Sequence, residues 1–125
     1  MDALITNVPG YCVCVTTADC VPVLLYDKKQ HVVAAVHAGW KGTVKHIVSN
    51  VMDHLNKMFG TQGEDVIACI GPSISLESFE VGDEVYDAFE ESGFDMSLIS
   101  MKKKETGKYH IDLWEANRQQ LLHTV

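Results

Sequence analysis

Val21-Pro22-Val23-Leu24-Leu25-Tyr26-Asp27-Lys28-Lys29-Gln30-His31-Val32-Val33-Ala34-Ala35-Val36-His37-Ala38-Gly39-Trp40-Lys41-Gly42 holds two apolar runs, a polar turn between them and a glycine-bracketed corner. Val21–Tyr26 and His31–His37 read as strands, because β-branched and apolar residues fill a pleated, half-buried surface. Asp27-Lys28-Lys29-Gln30 is too polar to continue either run and reads as the turn. The almost wholly apolar Val32–Val36 predicts a strand covered on both faces. Gly39 and Gly42 then break the pattern, and a helix is expected from about Thr43 to Phe59. Its apolar positions Val44, Ile47, Val48, Val51, Leu55 and Met58 make one stripe at helical spacing. Gly60 and Gly63 end it.

Outward from this stretch, Tyr11–Thr16 is predicted as a strand before it and Val66–Ile70 as one after it. Gly71-Pro72 opens an irregular loop. A helix over about Gly82–Ser92 puts Val81, Val85 and Phe89 on one face, with Gly93 as its stop. Leu98–Met101 and Tyr109–Ile111 are expected to pair as a hairpin. Asp112 caps a last helix, and Glu115 three residues on completes an aspartate form of the capping box. The order β-β-β-α-β-α-β-β-α is that of an α+β fold and not of a doubly wound parallel sheet.

The chain has 125 residues, 46% hydrophobic and 22% charged, the composition of one soluble globular domain over residues 1–125. Its formal charge of -7 argues against a general nucleic-acid binder, which needs a basic stripe to displace counterions. Lys102–Lys104 is followed by Glu105 and reads as a solvated turn. No run approaches the ~20 apolar residues of a membrane span, and Asp2 with no basic region after it is unlike a secretory signal. The four cysteines are therefore expected as reduced thiols in a cytoplasmic protein.

Cys20 and His37 each close a strand-like run, so the two can converge at the ends of neighbouring strands. A deprotonated sulfur beside a nitrogen base makes either a transition-metal site or a thiolate–imidazole nucleophile. Asp19 next to Cys20 opposes thiolate formation unless a cation is near. Gly39-Trp40-Lys41-Gly42-Thr43 resembles an anion-binding turn: glycines let backbone amides approach, a helix starts there, and Lys41 adds positive charge. Cys12, Cys14 and Cys69 read as small apolar core residues, since C-x-C-x5-C, counted to Cys20, matches no zinc pattern. Asn117 and Arg118 are expected on a solvent-facing helix surface. His31, His46, His54, His110 and His123 show no partner pattern and read as surface or core residues.

TADCVPVLLYD, AAVHAGWKGT, IGPSISLESFEVGDEV and IDLWEANRQQL, in this order, resemble the YfiH family, also called the polyphenol-oxidase laccase-domain family. The likeness covers nearly the whole chain. It implies an α/β/β/α layered fold similar to that of the catalytic domain of cytotoxic necrotizing factor. It also implies zinc-dependent purine nucleoside chemistry: phosphorolysis of adenosine, inosine, guanosine and methylthioadenosine, and deamination of adenosine. The family's zinc cysteine falls on Cys20 and one zinc histidine on His37. Its other zinc histidine belongs to a segment that precedes these motifs, so the chain is expected to be a central fragment of a longer domain. The family's usual arginine after the HAGW motif is Lys41 here, which keeps the charge without bidentate phosphate geometry. A cysteine common in the family is Ser78.

The expected partners are therefore zinc, purine nucleosides and phosphate, with oligomerisation left open. Asp19, Cys20 and His37 are the expected catalytic residues, Cys20 and His37 the metal ligands, and Gly39, Lys41 and Gly42 the phosphate-binding turn. A metal-free cysteine hydrolase or deamidase built on Cys20 and His37 is the alternative, and a catalytically incomplete fragment a further one. Copper oxidation of phenols is the least expected, because the multi-histidine clusters it needs are absent from the sequence.

Overall fold

The structure is a computed structural model and describes residues 2–124. Strands β2 (Val21–Asp27) and β3 (Val32–Ala38) pair antiparallel, from Val21 against Ala38 to Asp27 against Val32. The turn between them is held by Asp27, whose Oδ1 accepts from the amides of Lys29 at 2.9 Å and Gln30 at 3.0 Å. His31 closes it in the left-handed region, with φ 56°.

β1 (Ala3–Thr6) joins the free edge of β3, and β4 (Val66–Ile70) joins that of β2. The sheet order is β1-β3-β2-β4. This corrects the expected strand at Tyr11–Thr16, which enters neither sheet. The physical reason is occupancy, since β1 and β4 take both edges of the central pair. The segment keeps its strand-like alternation, with Val13 and Val15 half-buried and Cys12, Cys14 and Thr16 exposed.

One face of the sheet packs on helices. Val21, Val23, Leu25, Val32, Ala34, Val36 and Ala38 meet Val48, Val51, Met52 and Leu55 of α2 (Ile47–Phe59) and Leu113, Ala116 and Leu121 of α5 (Leu113–Thr124). The expected helix over Thr43–Phe59 is in fact two, α1 (Trp40–Val44) and α2. The break has a local cause. The Ser92 hydroxyl donates to the Val44 carbonyl at 2.8 Å, the acceptor that a continuous helix would give to Val48. His46 turns left-handed, with φ 58°, at a cost of about 1–2 kcal/mol. Its Nε2 bonds the Ser92 carbonyl at 2.9 Å, and its ring stacks on Phe94 with centroids 5.0 Å apart.

The opposite face of the sheet is only partly covered. Leu24, Tyr26 and Ile67 are exposed there, and Cys69 stands opposite Leu24. Cys12, Cys14 and Cys69 are thus exposed and not core residues, because the helices cover the other side. Coverage of β3 on both faces is complete at Ala35 and partial at Val33 and His37.

A second sheet has the order β5-β7-β6, from Glu80–Val81, Tyr109–Ile111 and Ser100–Lys102. With it go α3 (Asp83–Glu91) and the short α4 (Met96–Ile99). The expected hairpin forms, starting at Ser100, because the Asp95 carboxylate caps α4 by accepting from the Ser97 amide at 3.0 Å. Asp112 caps α5 through the Glu115 amide at 2.9 Å. Glu115 does not complete the box: its carboxylate takes Arg118 at 2.7 Å and Gln119 at 2.8 Å. The chain is α+β, with both sheets antiparallel.

Candidate active site

Register and pleat bring the candidate residues together. Side chains alternate along β2, so Val21 and Val23 face the helices while Cys20 and Pro22 face the other side. Pro22 pairs with His37, and one step beyond the last pair, Val21 with Ala38, sets Cys20 against Gly39. Cys20 and His37 are thus diagonal neighbours on one face, a relation that spans about 7–8 Å in antiparallel sheets. Both are half-buried. A Cβ placed on Gly39 would lie 3.2 Å from Cys20 Sγ, so the glycine is what leaves room for the thiol.

Asp2 was not singled out from the sequence. The His37 amide donates to the Asp2 carbonyl at 2.7 Å, which extends the β1–β3 ladder and places Asp2 opposite His37 on the same face. The short β1 carries no periodic signal that could have shown this.

Asp19 is exposed, and its carbonyl accepts from the Ile74 amide at 2.9 Å. The Gly71 amide donates to the Pro22 carbonyl at 2.8 Å. The loop after β4 therefore wraps the end of β2 beside Cys20. A Cβ on Gly71 would come within 2.7 Å of Pro22 Cγ, so only glycine permits this approach. The far end of the loop is held by His110, which is buried and pairs through Nδ1 with the Leu76 carbonyl at 3.0 Å.

The Gly39–Thr43 turn is anchored from beneath. The Thr43 hydroxyl donates to the Gly39 carbonyl at 2.7 Å and accepts from Asn117 Nδ2 at 3.1 Å. Asn117 also donates to the Leu113 carbonyl at 2.9 Å and accepts from Gln120 Nε2 at 3.3 Å. Asn117 is 0% exposed, which corrects the expected solvent-facing position. The helical phase of α5 turns it onto α1, whereas Arg118, one residue on, does face solvent and pairs with Glu115. Lys41 is exposed, with Nζ 5.7 Å from the centre of the Trp40 ring. Trp40 is half-buried and packs against the core. Gly42 is not required for space, because a Cβ there would meet Ile47 at an ordinary 3.5 Å.

Two titrating groups are displaced, both away from this corner. Burial raises the Asp27 carboxyl, but the Thr61 hydroxyl, the Gln30 and Lys29 amides and His31 outweigh it, and the net shift is downward. Asp27 Oδ2 and Thr61 Oγ1 are both buried and neither makes a full hydrogen bond, so the amide bonds at Oδ1 are the firmer part of that effect. The Cys14 thiol is raised by its hydrogen bond to Cys12. Among the described residues, no group of three or more His, Cys, Asp or Glu is placed to hold a metal. Cys20 and His37 thus offer two donors.

Fold and corner together define a class: an α+β domain with a thiol and an imidazole near the same end of an antiparallel sheet. Residues 1–124 match the family described as multi-copper polyphenol oxidoreductase laccase, and the chain belongs to it. It is 67% identical over 122 residues to a purine nucleoside phosphorylase of Bacteroides thetaiotaomicron, covering 98% of this chain and 45% of that protein. Adenosine deaminase RL5, from an unknown prokaryotic organism, is 43% identical over 122 residues, with 98% and 46% covered. The crystal structure of the Bacillus licheniformis hypothetical protein YfiH matches with a TM-score of 0.90 at 35% identity, over 98% of this chain and 46% of that one. The resemblance to YfiH proteins is borne out, and the chain spans about half the length of the curated relatives it matches.

Proposed function

We propose that this chain carries the Cys20/His37 part of a zinc-dependent purine nucleoside phosphorylase with adenosine deaminase activity. Adenosine, inosine, guanosine and methylthioadenosine are the proposed substrates. The reading is supported by relatives named for both activities. The observation that carries it is the placing of Cys20 on the face of His37, with Gly39 leaving space at the sulfur.

Thiolate and neutral imidazole are both zinc donors, so the pair fits the metal as part of a site. Catalytic zinc takes about three protein ligands, and the remainder would come from outside this pair, from another segment, another chain or water. Zinc bound there would supply Lewis acidity that activates water for attack on the purine C6.

The chain's own residues set the remaining chemistry. Cys20 would hold the metal as thiolate and His37 through a neutral ring nitrogen. In phosphorolysis, a phosphate oxygen bonds the ribose C1′ while the C1′–N9 bond breaks and its electron pair leaves with the purine. Lys41 Nζ and the amides of the Gly39–Gly42 turn would hold that phosphate, Lys41 as a point charge. The first amides of a helix have no partner within it and are available to an anion. Asp19, adjacent to Cys20 and exposed, would take the proton of the attacking water in deamination.

The test is zinc back-titration of the metal-free chain beside Cys20→Ala and His37→Ala, followed by assays of inosine phosphorolysis and adenosine deamination. A single zinc equivalent, lost in both variants together with activity, supports the reading. Zinc uptake that ignores both substitutions overturns the metal assignment. Activity that survives a strong chelator but not Cys20→Ala points instead to the thiolate as nucleophile.

A further inference from the structure

Cys12 and Cys14 take no part in the corner described above. They lie on the extended segment that joins neither sheet, both exposed, with their Sγ atoms 3.8 Å apart in a hydrogen bond. Along the segment Val13 and Val15 are half-buried while both thiols are exposed, Cys12 lining one of the two cavities beside it and Cys14 the other. Two cavities, of about 350 Å³ and 340 Å³, flank Val13 between the segment and the sheet. The segment thus stands partly off its support and has room to adjust.

We propose that Cys12 and Cys14 form a two-thiolate site for a soft, thiophilic cation of the copper(I) kind, separate from Cys20 and His37. Two sulfurs each ~2.3 Å from one metal stand ~3.8 Å apart at the tetrahedral angle and ~4.6 Å apart when collinear. The observed 3.8 Å already matches the first and needs less than an ångström of opening for the second. No ladder hydrogen bond resists that opening. Thiolates favour soft cations, and a site offering two sulfurs suits copper(I), which accepts low coordination. Exposure keeps the cost of forming two adjacent thiolates low, since water solvates them until the metal arrives. Such a site lacks the imidazoles of an oxidase copper cluster and implies cation binding alone.

Copper(I) would be titrated anaerobically into the reduced full chain against a chromophoric copper(I) chelator. Alkylation with mass mapping would then locate the protected thiols. The expected result is a single equivalent bound, with Cys12 and Cys14 protected together in the wild type. Cys12→Ser or Cys14→Ser should weaken competition more than ~tenfold. Cys69 lines both cavities, and Cys69→Ser should leave the affinity in place. Circular dichroism confirms that the variants fold, and the wild-type mapping stands without them. Protection that falls on Cys20 or Cys69 overturns the proposal. So does an affinity unchanged in both Cys12→Ser and Cys14→Ser, or a chain that takes up no copper.

Discussion

Replacing Asn117 with Ala tests whether the buried amide holds the Gly39–Thr43 turn. Three hydrogen bonds end at this side chain, to Thr43 Oγ1, the Leu113 carbonyl and Gln120 Nε2. At about 1 kcal/mol net for each neutral bond, their loss costs about 3 kcal/mol. For a chain of this size that lowers the melting temperature by about 9–15 °C. Urea unfolding should show a lower midpoint with the slope m unchanged, the mark of lost stability without a change in denatured-state compactness. The bond to Thr43 can be isolated by a cycle with Thr43→Ala. Residues in direct contact couple by about 0.5–3 kcal/mol, and about 1 kcal/mol is expected for this pair. Zinc titration should be affected less than phosphate binding, because Asn117 supports the turn and not Cys20. A total loss below about 1 kcal/mol, or additive effects of the two substitutions, would show that the network does not anchor the turn.

Gly39→Ala should move the Cys20 thiol, because the new Cβ would sit 3.2 Å from Sγ, and zinc affinity should fall with little change in the urea midpoint. Gly42→Ala makes only 3.5 Å contacts inside a helix and should leave zinc binding intact while stabilising the fold by up to about 1 kcal/mol. The two midpoints and two zinc titrations decide between these outcomes, and equal effects would contradict them. For pH, the folded-state Asp27 carboxyl lies below its unfolded value of ~3.9, so its stabilisation is complete above that value and is lost as pH falls through the lower folded value. Urea midpoints measured down this acid limb should converge for wild type and Asp27→Asn. Persistence of the gap to the acid end of the titration would refute the assignment.

The central hairpin, the helix stripe of α2, the caps at Asp112 and Gly60, and the second hairpin were all legible along the chain. Each depends on neighbours within a few positions, where side-chain periodicity and backbone preference act directly. Cys20 and His37 were singled out as the ends of two strand-like runs, yet Tyr11–Thr16 joins neither sheet and Cys20 instead precedes β2, with its sulfur beside Gly39. Ala3–Thr6 escaped because four residues carry too little pattern, and Tyr11–Thr16 misled because alternation marks an extended segment without saying which edge is free. The break at His46 rests on Ser92 and Phe94, some forty-six residues away along the chain. Asn117 was a polar helix residue like its neighbours until α5 packed on α1. Sequence by itself determined most of the local elements and the α+β class. Only the tertiary structure decided which strands share an edge, which face stays open and which polar groups are buried, because those outcomes turn on long-range competition for hydrogen bonds and apolar cover.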